Sequence, residues 1–173
     1  MKFYSGFSLK NEEYLFDTFI RKSDYTVCGF SYGAIKAFEF TKEQLACKRR
    51  VDTLQLFSPA FFQNRSDKFK KLQLRSFGRS PQNYLNNFID ACFSPYEKID
   101  VDRTEGSIEE LEELLYYEWN LSELQILCDN GIDIEVYLGG KDNIIDTDSA
   151  KEFFKDVATV TYIKEANHFL RSY

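Results

Sequence analysis

The stretch Gly29-Phe30-Ser31-Tyr32-Gly33 places a hydroxyl between two glycines, behind an apolar run and ahead of a segment with helical spacing. A serine hydroxyl is a poor nucleophile unless a histidine takes its proton and a carboxylate orients that histidine. A sharp strand-to-helix turn brings the backbone close to its neighbours, which favours small residues two before and two after the serine. Gly29 and Gly33 meet that demand, and the following helix would aim its N-terminus at developing negative charge. The alternative is a glycine-bracketed loop whose serine merely caps the helix.

The partners of such a serine can be sought in the rest of the chain. His168 is the only histidine, and no other side chain has an ordinary pKa suited to the base role. It stands in a loop after a strand, third in the order Ser, Asp, His. A lone histidine can equally be a surface or satisfied core residue. For the carboxylate, "YLGGKDNIIDTD" offers Asp142, Asp146 and Asp148. Asp142 comes straight after a strand and two glycines, where a short loop can aim it at His168. Asp146 and Asp148 lie nearer the next helix start, where capping explains them. Oxyanion donors would be the Tyr32 N–H and a second N–H from "YSGFS", with Gly6 allowing close approach and Phe7 donating. A plain glycine turn is the other reading of that loop.

The elements that must position these residues can be read from periodicity. "KFYSGF", "YTVCGF", "VDTLQLFSP", "IDIEVYLGG" and "TVTYIKEANHF" read as five strands. "NEEYLFDTFIRK", "YGAIKAFEFTKEQLA" and "TDSAKEFFKDV" read as helices between them. Alternation of this kind implies a parallel α/β sheet, in which ligands bind beyond the carboxyl ends of the strands. Residues 61–119 interrupt the rhythm as a polar, aromatic insertion, helical in pieces. Ser107 and Glu110 form a capping box at the start of "IEELEELLYYEW".

Composition sets outer bounds. A chain of 173 residues, 43% hydrophobic and 17% aromatic, is long enough for one domain with a substantial core. A net charge of −6 argues against nonspecific nucleic-acid binding. No apolar run is long enough to cross a bilayer and the N-terminus lacks a secretory pattern, so a cytoplasmic location is expected. Cys28, Cys47, Cys92 and Cys128 are scattered, which points to reduced, mostly buried thiols and not to a zinc site or disulfide framework.

"GFSYGAIKA", "LFSPA", "GGKD" and "NHF", in this order, resemble an α/β-hydrolase over nearly the whole chain. The short length and the "MKFYSGF" start resemble the small biotin-pathway esterases, which hydrolyse the methyl ester of pimeloyl-acyl carrier protein. The resemblance implies a reduced α/β-hydrolase fold of about five mainly parallel strands, spanning 1–173 as one domain, with 61–119 as a helical lid. It implies Ser31 as nucleophile, Asp142 as acid and His168 as base, with no metal or cofactor. Gly6 and Phe7 match the oxyanion segment, in which Ser5 replaces the usual histidine. With five sequential strands, right-handed crossovers would put the linking helices on one face. The other face would need the C-terminal tail, part of the insertion or a partner to cover it.

Charge adds a partner expectation. "NRSDKFKKLQLRSFGR" carries Arg65, Lys68, Lys70, Lys71, Arg75 and Arg79 against Asp67 alone. In an acidic chain this excess is a candidate dock for an acidic acyl carrier protein bearing a methyl-pimeloyl chain, or simply a solvated helix face. Phe61, Phe62, Phe69, Leu72, Leu74 and Phe77 could line an acyl channel. Another small carboxylesterase or an acyl thioesterase would use the same triad, and a non-catalytic hydrolase-like binding protein would not need to keep it.

Overall fold

The structure, a computed structural model, describes residues 1–173. Five strands, β1 (Lys2–Tyr4), β2 (Thr26–Phe30), β3 (Thr53–Phe57), β4 (Asp133–Gly139) and β5 (Thr159–Ile163), form one sheet in that order. All four pairings are parallel. Helix α1 (Tyr32–Ala46) joins β2 to β3, and α6 (Thr147–Phe154) joins β4 to β5. Between β3 and β4 lie α2 (Asp67–Arg79), α3 (Pro81–Phe93), α4 (Ile108–Tyr116) and α5 (Leu121–Asp129).

Local chemistry starts these helices where they start. Ser66 accepts the Phe69 N–H ahead of α2, and Pro81, which lacks a donor, opens α3. Ser107 and Glu110 form the expected capping box on α4. Asn120 accepts from Ser122 and Glu123 at α5, and Asp146 accepts from Ser149 at α6.

Alternation along the strands divides the core in two. The register aligns Val27, Leu54 and Ile134 in one row and Cys28, Gln55 and Glu135 in the next, which faces the opposite way. The first face packs against α1, α5 and α6 through residues such as Phe38, Leu127 and Phe154. On the second face, Phe16 and Ile20, Ile89 and Phe93 of α3, and Phe169 and Leu170 of the tail form a separate cluster. The tail and part of the β3–β4 segment thus cover it, as two of the three expected solutions.

The first connection departs from expectation twice. "NEEYLFDTFIRK" forms only a short 3-10 helix at Glu12–Phe16, entered from Asn11 in a left-handed conformation. It also crosses on the second face, opposite α1, while advancing across the sheet in the same direction. Its hand is therefore opposite to that of the β2–β3 connection, against the strong general preference. Aromatic packing and a polar anchor hold it there. Phe16 packs at 4.9 Å from the Phe30 ring and 4.8 Å from the Phe57 ring. Gln55, pointing out of the same face, donates to the Phe19 carbonyl and accepts the Arg21 N–H. No helix is long and apolar enough to cross a membrane.

Candidate active site

Ser31 sits between β2 and α1 with φ 52° and ψ −113°, a conformation that costs a non-glycine residue energy and that its surroundings must enforce. Its N–H donates to the Phe57 carbonyl, and its carbonyl accepts from Ala34 and Ala60. A Cβ on Gly29 would lie 2.2 Å from the Gly33 carbonyl oxygen, and one on Gly33 would lie 2.0 Å from that of Tyr4. These glycines are what allow strand, helix and the loop after β1 to meet at one point. Ser31 makes no side-chain capping bond to α1, so the capping alternative does not describe this hydroxyl.

Its partner is His168 instead. Ser31 Oγ lies 3.0 Å from His168 Nε2, and His168 Nδ1 lies 2.6 Å from Asp142 Oδ2. A carboxylate only accepts, so Nδ1 carries the proton and Nε2 presents its lone pair to the hydroxyl. The Asp142 carboxylate is aimed by its other oxygen, which accepts the N–H groups of Ile144 and Ile145. The side chains of Asp142 and His168 are both fully buried. Asn167 pins the histidine loop: its amide donates to the Phe93 carbonyl and accepts from Phe169 and Arg171. Gly139 lets that loop approach, since a Cβ there would meet the carbonyls of Ala166 and Asn167 at 2.4 Å. Ser31, Asp142 and His168 are brought together as expected. Asp146 caps α6 and Asp148 is exposed, away from the histidine.

The loop after β1 lies beside this relay. The Tyr4 and Ser5 carbonyls press on Gly33, and Gly6 packs against the Phe30 ring. The Leu9 N–H donates to the Gly6 carbonyl, while the Phe7 N–H donates to no protein acceptor. A cavity of about 390 Å³ opens beyond Phe7, walled by Phe7, Phe69, Phe88, Leu111 and Ile144, with polar groups from Gln73, Ser76, Tyr84, Asn87 and Asn143; Ser31, Asp142 and His168 are not part of its wall. Tyr84 donates to Gln73 at 3.0 Å, and burial pushes its phenol up to about 12. No charged side chain lines this space.

Two parts of the sequence reading need correction. Of the six apolar residues considered for an acyl channel, Phe62 and Phe69 line the cavity. Phe61 packs tilted against Phe153 and Phe154 instead, Phe77 packs on Phe7 and Tyr84, Leu72 is exposed and Leu74 is half-buried. Helical periodicity turns successive members of such a run to different sides. The same geometry splits the basic residues: Lys68, Lys71, Arg75 and Arg79 are exposed, but Lys70 is buried with its ammonium 4.9 Å from the Tyr116 ring centroid. Lys71 also pairs with Asp67 at 2.6 Å. Cys28 and Cys92 are buried as expected, with burial pushing the Cys28 thiol up to about 12, whereas Cys47 is exposed. No group of three or more His, Cys, Asp or Glu side chains is arranged to hold a metal ion.

Two features were not anticipated. The Tyr32 hydroxyl donates to Glu113 at 2.6 Å, and Lys36 reaches Glu110 at 3.4 Å while lying over the Tyr32 ring. These bonds tie α4 to the start of α1, and burial with the nearby Glu113 carboxylate pushes the Tyr32 phenol upward. The second is Glu12, fully buried, which accepts the Gly6 N–H at 2.7 Å. The only sequence signal for either was an acidic residue within one turn of a loop or helix, which is too common to single out.

Comparison with known proteins bears on the fold. No family model and no curated protein matches the sequence. Among solved structures, an esterase from Exiguobacterium antarcticum is 17% identical with a TM-score of 0.63, over 83% of this chain and 59% of that one. A bromoperoxidase from Bacillus anthracis is 13% identical with a TM-score of 0.62, over 83% and 60%. BioG from Haemophilus influenzae is 10% identical with a TM-score of 0.60, over 97% and 87%. The chain spans less than two thirds of the first two. Together with the sheet order, these likenesses give the chain a reduced α/β-hydrolase fold of five parallel strands with interspersed helices.

Proposed function

We propose that this chain is a serine hydrolase of carboxylic esters. The observation that carries the reading is the continuous relay from Asp142 through His168 to Ser31, at 2.6 and 3.0 Å, on a strained turn at the carboxyl end of the sheet. In the proposed reaction His168 Nε2 accepts the Ser31 proton as Oγ attacks the ester carbonyl, and the tetrahedral oxyanion is held by the N–H groups of Tyr32 and Phe7. The oxyanion collapses, the alkoxy group leaves with the proton from His168, and an acyl-enzyme remains on Ser31. Water gives its proton to Nε2, its oxygen attacks the acyl carbon, and the acid departs as Ser31 regains its proton. Esterases among the similar folds support this reading.

The finer reading is hydrolysis of the methyl ester of pimeloyl-acyl carrier protein, releasing methanol. It rests on the sequence resemblance to the small biotin-pathway esterases, and the match to BioG along most of both chains is compatible with it. The uncharged cavity suits an esterified acyl chain, since a free carboxylate there would lose its hydration with no cation to replace it. Within residues 61–119, α2 and α4 would then act as a lid while α3 stays on the sheet, with exposed Lys68, Arg75 and Arg79 facing an acidic carrier.

Turnover of a short-chain nitrophenyl ester, with labelling of Ser31 by a fluorophosphonate, tests the hydrolase reading; folded protein that does neither contradicts it. Substrate choice is tested by comparing methyl-pimeloyl carrier protein, the free methyl ester and an acyl thioester. A preference for the thioester would favour a thioesterase, and equal specificity constants for carrier-bound and free ester would remove the carrier from the account.

A further inference from the structure

We infer that Glu12 is the positioning residue of the oxyanion loop, holding the Phe7 N–H in its donating orientation; the inference rests on the hydrolase reading above. The geometry concerns two successive peptide units. In the Ser5–Gly6 unit, the N–H donates to Glu12 Oε1 at 2.7 Å and the carbonyl presses on Gly33, where a Cβ would come within 2.5 Å. That unit is therefore clamped from both ends, by a buried carboxyl on one side and by the start of α1 on the other. In the Gly6–Phe7 unit, the carbonyl accepts the Leu9 N–H at 3.2 Å. A planar trans peptide points its N–H opposite to its carbonyl, so this bond leaves the Phe7 N–H facing away from the turn and unused.

Gly6 gives the loop its close approach and also its freedom to rotate. Without an acceptor for its N–H, nothing on that side would resist rotation of the Ser5–Gly6 unit and of the next one with it. Glu12 supplies the acceptor from the first turn of the 3-10 helix, on the face where that segment crosses the sheet. Its carboxyl is wholly buried, and Oε2 has no hydrogen-bond partner. A buried carboxyl with one oxygen left unpartnered is an expensive way to fill a core position that an apolar residue would fill better. Positioning a donor that a reaction needs gives that cost a purpose. Burial pushes the Glu12 carboxyl above the ordinary range, against the pull of the Gly6 N–H, its own N–H and the Ser5 hydroxyl.

The test compares Glu12→Met, which keeps the volume and removes the carbonyl-type acceptor, with Glu12→Gln, which keeps an acceptor oxygen. Nitrophenyl ester turnover by Glu12→Met should fall in kcat by about 10²-fold, the scale of one misplaced oxyanion donor, with little change in KM. Affinity for a trifluoromethyl ketone, which needs the same donors, should fall in parallel with kcat/KM. Glu12→Gln should restore most of both. Unchanged kcat in folded Glu12→Met, or equal loss in both variants, would overturn the inference. Should Glu12→Met not fold, amide exchange in the wild-type protein still decides: the Gly6 amide should be protected, and fast exchange would overturn the clamp. Wild-type protein that neither turns over the ester nor labels at Ser31 would overturn the hydrolase reading and this inference with it. Active wild type with an unaffected Glu12→Met overturns this inference alone.

Discussion

Two buried polar networks lie in this molecule, one on the second face of the sheet and one at the carboxyl ends of its strands, and they differ in how they end. Around Gln55, every side-chain group is answered within the protein. Its amide donates to Glu135 and the Phe19 carbonyl, its oxygen accepts the Arg21 N–H, and Tyr137 and Arg21 complete the carboxylate of Glu135. The Asp142–His168–Ser31 relay is just as buried, but it terminates in a hydroxyl on a strained turn, close to the unused N–H of Phe7, whose side chain walls the apolar cavity. Buried polarity is thus no sign of chemistry by itself. A closed network holds the first connection on the sheet, while an open one has capacity left for a substrate.

That contrast breaks if the open network tolerates what the closed one does not. The largest effect is expected from Ser31→Ala, which should reduce ester turnover by about 10⁶-fold while leaving the melting temperature nearly unchanged. Asp142→Asn should cost about 10⁴-fold in kcat, because an amide can stabilise the wrong tautomer of His168; steady-state kinetics on purified protein reads both. Gln55→Leu should do the reverse. It removes one of the three partners of the Glu135 carboxylate and strands the Phe19 carbonyl and the Arg21 N–H, so stability should drop by about 2 kcal/mol in denaturant titration, with kcat of the folded fraction preserved.

Smaller effects sharpen the comparison within single segments. Changing exposed Lys68, Arg75 and Arg79 to Glu should lower kcat/KM for a carrier-bound methyl ester by about tenfold at low salt and leave the free ester unaffected. Asp146→Ala should cost about 1 kcal/mol of stability through its lost cap on α6, with no change in kcat, although it stands only four residues from Asp142. The hydrogen bonds to the Ser149 N–H and hydroxyl hold the Asp146 carboxyl below its ordinary value. Its contribution is therefore complete at neutral pH and fades as pH falls through that lowered value.

The triad was legible because each member follows a strand end, and a parallel sheet gathers such ends at one edge. Asp142 and Asp146 could be separated because glycines precede one and a helix follows the other. The first connection was not legible, since apolar residues at 14, 15, 16, 19 and 20 suit either face of the sheet. Its side was decided by Gln55, a polar residue in a strand far along the chain, and by the Phe30 and Phe57 rings. Glu12 escaped notice for a similar reason: its meaning depends on the turn that brings it back to Gly6. Lys70 shows the limit of reading charge by counting, because one helical residue in such a run turns inward against Tyr116.

The central claim is that Ser31 is the nucleophile of an ester hydrolase. It is tested most directly by titrating the protein with a fluorophosphonate while following nitrophenyl ester turnover and mapping the modified peptide by mass spectrometry. One adduct per chain is expected, on Ser31, with turnover lost in proportion and no adduct on Ser31→Ala. Full turnover after Ser31 is occupied, or an adduct confined to another residue, would contradict it.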